Sequence, residues 1–382
     1  MLSRLLLTVI FCGLPFGVGY AQSILVRSAA PVSYPTPIVD GNSPGVWVDG
    51  MLRVYTSTGD PLAMTGPNLF QLRQTESPEV LPRDHYPLWI ESVWRDEDGT
   101  IYGWYHHEPG SVCSSAKLTA PKIGAVVSED GGHTFRDLGI VLATGYPMNC
   151  KAANGFFAGG HGDFSVIADR EHQYFYFLFG NYSGPVAEQG VVMARMAFED
   201  RRNPVGAVYK YHAGEWHEPG VGGRVTPIFP AVRSWEGSDT DAFWGPSVHW
   251  NKHLEAYVMV LNRSCCKSGW PQEGIYLSDN DDLSDPQGWR RPVKILDAKA
   301  IGFAPGYYPQ VVGTEEGETD SLVGEKARLY VKGVSKWEIV FIREEETPAP
   351  PPGPPDDDDD VEPDLDPGAP RMVVLPRRGA GK

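Results

Sequence analysis

No stretch of the 382 residues repeats its apolar positions at the three-and-four spacing of an amphipathic helix. A helical fold is therefore not expected. Long hydrophobic runs are also scarce, since nothing after the N-terminal "MLSRLLLTVIFCGLPFGVGYAQS" offers a second candidate for a membrane span. Basic charge is in deficit, with 33 Lys and Arg against 49 Asp and Glu, a net charge of −16. Phosphate binding needs a basic face, so nucleic acid is not the expected partner. The five cysteines form no Cys-x-x-Cys pair, which leaves a zinc reading without its usual spacing.

What is abundant is turn chemistry. Aromatic residues at 11%, 43 Gly and 34 Pro fit a turn-dense all-β protein. Near the middle lies "GFFAGGHGDFSVIADREHQYFYFLFGNYSG", Gly155 to Gly184. A glycine turn leads to Asp163, a short strand, a polar turn at Asp169 to Gln173 and an aromatic strand at Tyr174 to Phe179. Four further segments follow the same plan. They begin near Asp40, Glu91, the Trp244-Gly245-Pro246 turn and Tyr307-Tyr308. Strand-rich repeats at a period of roughly 50 to 80 residues are the mark of radial blades, so the expected fold is an all-β, five-bladed β-propeller with four-stranded antiparallel blades. The blades are placed at 40–81, 85–143, 154–220, 243–297 and 306–343, with residues 24–37 as an arm that can close the ring.

The ends read differently. One arginine, a short apolar core and the small residues Gly19 and Ala21 suggest a signal peptide over 1–21, with a lipid anchor at Cys12 as the alternative. A secreted or periplasmic protein is expected, with a propeller domain over 22–343. Its remaining cysteines, Cys113, Cys150, Cys265 and Cys266, are even in number and can pair in three ways. From 344 to 382 the chain is rich in Pro and Asp, and its "EEETPAPPPGPPDDDDDVEPDLD" cannot bury enough apolar surface to fold. A disordered tail is expected there, and its five aspartates are a weak candidate for structural calcium, with no other cofactor expected.

In a propeller the starts of the inner strands converge on one mouth. The register gathers Asp40, Glu91 and Asp163 there as catalytic candidates, because crowded carboxylates separate in pKa into an acid and a base. Asn42, Trp89, His161, Trp244, His249 and Tyr308 are the expected substrate-binding residues, with Trp94 as a further rim aromatic. His161 and His249 have a second reading as metal or water ligands, though ordinary hydrogen-bonded histidines suffice, and no metal site is assigned. The "HHEP" stretch from His106 falls at the far end of its strand from Glu91 and is left outside the site.

Two motifs carry resemblances. "SEDGGHTF" places Ser128, Asp130, Gly132, Thr134 and Phe135 in the pattern of the Asp-boxes of sialidases and related propellers, a structural hairpin motif. The five repeats, with "YLSDNDDLSDPQGW", resemble the five-bladed glycoside hydrolases typified by arabinanases, β-xylosidases and levansucrase or invertase relatives. That resemblance covers roughly 37–343 and implies a monomeric glycosidase acting on an oligo- or polysaccharide. In those families the first-blade Asp is base or nucleophile, a second-blade Asp tunes it, and a third-blade Glu is the acid. Asp40 matches the first role, whereas Glu91 and Asp163 exchange the other two residue types. A non-catalytic, glycan- or cell-surface-binding propeller is the competing reading. A sialidase is disfavoured because the inner-strand starts carry no arginine.

Overall fold

Phe177 shows why the strands stack as they do. It pairs with Val166 on one side and Ala194 on the other, all within one antiparallel sheet, and is fully buried. The chain is known as a computed structural model that describes residues 21–36, 39–110, 112–114, 117–302, 307–344 and 370–375. The expected signal sequence, apart from Ala21, and the aspartate run lie outside the described residues.

Five sheets form the blades of a propeller. Their inner strands are Gly45–Val48, Leu88–Arg95, His161–Ala168, Ala242–Asn251 and Gln310–Gly313. Most pairings are antiparallel. Among the described strands two pair in parallel: Glu79–Leu81 with the outer strand of blade two, and Leu322–Val323 with the end of the blade-four inner strand. The sheets hold four to six strands, the expected four-stranded antiparallel blade with short strands added at its edges. Short extra strands cover edges that would otherwise expose unpaired backbone.

Each blade is buried on both faces, and the core is a set of apolar layers between neighbours. Trp104, Ile123, Phe164 and Phe177 fill the layer between blades two and three, while Tyr176, Leu178, Met259 and Leu261 fill the next. Each such side chain contributes roughly 1.5–3 kcal/mol by leaving water. The ring closes through the N-terminal arm. Ala21–Ser33 pairs antiparallel with Val334–Glu344, so the last blade is completed by the first strand.

The C-terminal boundary is also corrected. Arg371–Val374 pairs with Ser23–Val26 on the outer edge of that closing strand, so ordered chain does not end near Arg343. The reason is local: "RMVV" follows the acidic tract and can cover the open edge left by the arm. The cysteines form Cys113–Cys150 and the adjacent Cys265–Cys266 bridge, one of the three possible pairings.

Candidate functional site

The ladder of an inner strand leaves one edge facing the tunnel, and neighbouring blades supply the missing partners. Ser92 Oγ accepts from Val166 N at 2.8 Å, and Ser165 Oγ accepts from Val248 N at 3.2 Å. At the mouth end the ladders break. The register shifts between Ile90 and Ser92, between Gly162 and Phe164, and between Trp244 and Ser247. Glu91, Asp163 and the Gly245-Pro246 turn are therefore residues released from pairing and re-aimed toward the axis. Asp163 pays in backbone strain, with φ at 45°.

Asp40 and Asp163 line one cavity of about 840 Å³ together with Glu108, Trp244, Trp270, Phe156, Phe157 and Tyr308. Asp40 is exposed at the rim, while Asp163 is 6% exposed. Burial is the main force on Asp163. It raises the carboxyl, with help from the charges of Glu91 and Glu108 and against the pull of His106 and a hydrogen bond from Tyr182, to about 7. Near neutral pH it can therefore carry a proton. The Tyr182 hydroxyl donates to Asp163 Oδ2, and its ring stacks on Phe157 at 4.4 Å.

Glu91 sits beneath the cavity and does not line it. Its Oε2 accepts from Phe164 N at 2.9 Å, and its Oε1 lies 3.3 Å from His106 Nδ1. His106 Nε2 faces Glu108 Oε1 at 3.5 Å, an ion-pair distance. Burial opposes a charge on this histidine, but Glu108 and Glu91 outweigh it and raise its pKa well above the ordinary value. Leaving "HHEP" outside the site is thereby corrected. An antiparallel hairpin brings the end of one strand back to the start of the other, so Trp89 pairs with His106 and Glu91 lies beside them.

The expected binding residues divide. Trp244 and Tyr308 line the cavity and meet edge to face at 5.7 Å. Burial together with the charges of Asp163, Asp40 and Glu91 raises the Tyr308 pKa well above that of a free phenol. Asn42 is corrected to a clamp. Its amide donates to Phe164 O at 2.7 Å and Pro246 O at 3.1 Å, tying blade one to blades three and four. Trp89 packs on the His106 ring at 5.6 Å and is not among the lining residues. His161 is corrected to an interior position beside Lys210 Nζ, 2.9 Å from its Nε2, where burial and that lysine hold it neutral. His249 is corrected likewise, since burial takes it down to about 3 and its ring meets Phe341. Trp94 stands at the opposite end of the tunnel with Trp47 and Trp250.

Residues that sequence reasoning missed come from loops. Phe156, Phe157 and Trp270 form an aromatic wall, with Phe156 and Trp270 at 4.9 Å. Thr119 and Phe157 bridge the loops on either side of the Cys113–Cys150 bond. The pair Phe156-Phe157, set in a glycine-rich turn, was the signal within reach.

No protein-family model matches the sequence, and no curated protein matches it. Among solved structures, a candidate exo-β-1,3-galactanase from Bifidobacterium bifidum superposes with a TM-score of 0.50 at 13% identity, over 84% of this chain and 94% of that one. The fold is that of the five-bladed propeller glycoside hydrolases. A thermostable family-43 glycoside hydrolase gives a TM-score of 0.48 at 13% identity, over 85% of this chain and all of its own. An endo-arabinase from Bacteroides thetaiotaomicron gives 0.48 at 12% identity, over 81% and 96%. In the propeller described here, the acid raised to about 7 at the mouth is an Asp on blade three.

Proposed function

We propose that the protein is an exported glycoside hydrolase that cleaves an oligo- or polysaccharide at the propeller mouth. One observation carries this reading: Asp40 and Asp163, with Glu108 beside them, line a single aromatic-walled cavity, and burial raises the Asp163 carboxyl to about 7. Asp163 is the general acid, protonating the leaving oxygen, and Asp40 at the rim is the base or nucleophile on the other side of the bond. Glu91 is a positioning residue. It fixes His106 and the backbone that follows Asp163, and so replaces the catalytic role expected of it.

Trp244, Tyr308, Phe156 and Trp270 offer flat faces for sugar rings. The two disulfides suit an oxidising compartment, which supports export. The experiment is a panel of plant and microbial glycans incubated with the wild type, Asp40→Asn and Asp163→Asn, with binding measured alongside cleavage. Cleavage by the wild type that each substitution reduces roughly 10²–10⁴-fold supports the assignment. Glycan binding without cleavage by the wild type supports the competing lectin-like reading.

A further inference from the structure

The outermost hairpin of blade three carries a second constellation, away from the mouth. Its strands are Val208–His212 and Glu215–Pro219, joined by Ala213-Gly214 with φ of 51° and 93°. Two successive positive φ values make a tight two-residue turn, which fixes His212 opposite Glu215. Tyr211 and Trp216 pair next, and their rings meet at 5.1 Å on the opposite face. Strict alternation would then place His217 on the His212 face and send Glu218 to the other one.

A bulge prevents that. The register shifts so that Glu218, not His217, pairs with Lys210, which leaves both His217 and Glu218 on the face of His212. His217 Nε2 lies 3.6 Å from Glu218 Oε1, and His212 Nδ1 lies 3.8 Å from the same oxygen. One donor atom from each of the three residues falls within 4.8 Å of the others. Ligands at about 2.0–2.1 Å from a tetrahedral ion stand about 3.3–3.5 Å apart, so a small inward rotation closes the set.

The surrounding groups hold these ligands. Glu215 Oε2 lies 3.5 Å from His217 Nδ1, the arrangement that turns the other ring nitrogen toward a metal. Glu218 Oε2 accepts from Arg224 N at 3.0 Å, which leaves Oε1 for the ion. The nearby cations are engaged elsewhere. The Arg224 guanidinium pairs with Glu188, and Lys210 Nζ points inward to Ala143 O and Gly223 O, each at 2.9 Å.

From this geometry we infer that His212, His217 and Glu218 bind one borderline divalent ion of the zinc class at the outer edge of blade three. Two imidazoles and one carboxylate select Zn²⁺, Ni²⁺ or Cu²⁺ over Ca²⁺ and Mg²⁺, and the fourth position is left to water. The ion would staple the hairpin.

The test is calorimetric titration of tag-free protein with ZnCl₂ and with CaCl₂, on the wild type, His212→Ala, His217→Ala and Glu215→Gln. The expected result is one Zn²⁺ per chain with proton release, affinity lowered at least about tenfold by either His substitution and roughly 10–100-fold by Glu215→Gln, and no Ca²⁺ binding. Far-UV circular dichroism checks that the variants are folded. No Zn²⁺ binding to the wild type overturns the inference. Binding unchanged in the folded His variants overturns it equally, because that ion would sit elsewhere, as at Glu91, His106 and Asp163.

Discussion

His106 Nδ1 lies 3.3 Å from Glu91 Oε1, both side chains buried, on adjacent strands of blade two. A buried carboxylate needs partners, and this one has two: the imidazole and the amide of Phe164. Substituting His106 by Ala leaves Glu91 buried with one partner removed, which is expected to cost about 3–5 kcal/mol. Glu91→Gln keeps an oxygen for Phe164 N and is expected to cost less. Urea unfolding of both variants measures the order, and a smaller loss in His106→Ala contradicts it.

Asp163 makes stability depend on pH in a defined direction. Its folded pKa is raised from 3.8 to about 7, so between those values the folded protein holds a proton that the unfolded chain has released. Stability from this group therefore falls as pH rises from 3.8 to about 7 and levels off above. Asp163→Asn removes that slope. Denaturant midpoints measured at intervals from acidic to mildly alkaline pH read it, and a wild-type slope that persists in the variant refutes the assignment.

Asp130 works in the opposite sense. It accepts from His133 N, Thr134 N and Thr134 Oγ1 and from Ser128 Oγ. Burial opposes its charge, but these hydrogen bonds lower its pKa from 3.8 to about 2. Its contribution is complete above 3.8 and lost as pH falls toward 2. The group is largely exposed, so Asp130→Ala is expected to cost only about 1 kcal/mol, seen as a small shift in thermal midpoint near neutral pH that vanishes in strong acid.

The Cys113–Cys150 bond closes a loop of 37 residues whose two ends carry walls of the cavity. Replacing both cysteines with Ser is expected to lower stability by about 3–4 kcal/mol in the chain-entropy account. It should also weaken glycan binding more than the Cys265, Cys266 double substitution does. Equal effects of the two double variants on binding would count against a role in shaping the mouth.

The blade count was legible because each inner strand opens with a turn signal, as Gly160 to Asp163 and Trp244-Gly245-Pro246 do. Asp40, Asp163, Trp244 and Tyr308 were reachable by that reasoning, since each stands at such an opening. Glu91 stands at one too, yet the bulge at its position points it toward His106 beneath the cavity, and bulges leave no local trace in residue type. Asn42, His161 and His249 looked like ligands because their residue types are. Their partners, Phe164 O, Lys210 and Phe341, are 49 or more residues away. Trp270 and Phe156 came together only through loop packing, and the Arg371–Val374 strand only because an edge was open.

Asp163 is proposed to supply the proton to the departing oxygen. The most direct test of this role compares Asp163→Asn with wild type on two substrates of the same cleaved sugar: the natural glycan, and a dinitrophenyl glycoside whose leaving group needs no proton. A kcat/KM loss of roughly 10²–10⁴-fold on the glycan and little loss on the dinitrophenyl substrate are expected. An equal loss on both contradicts that role.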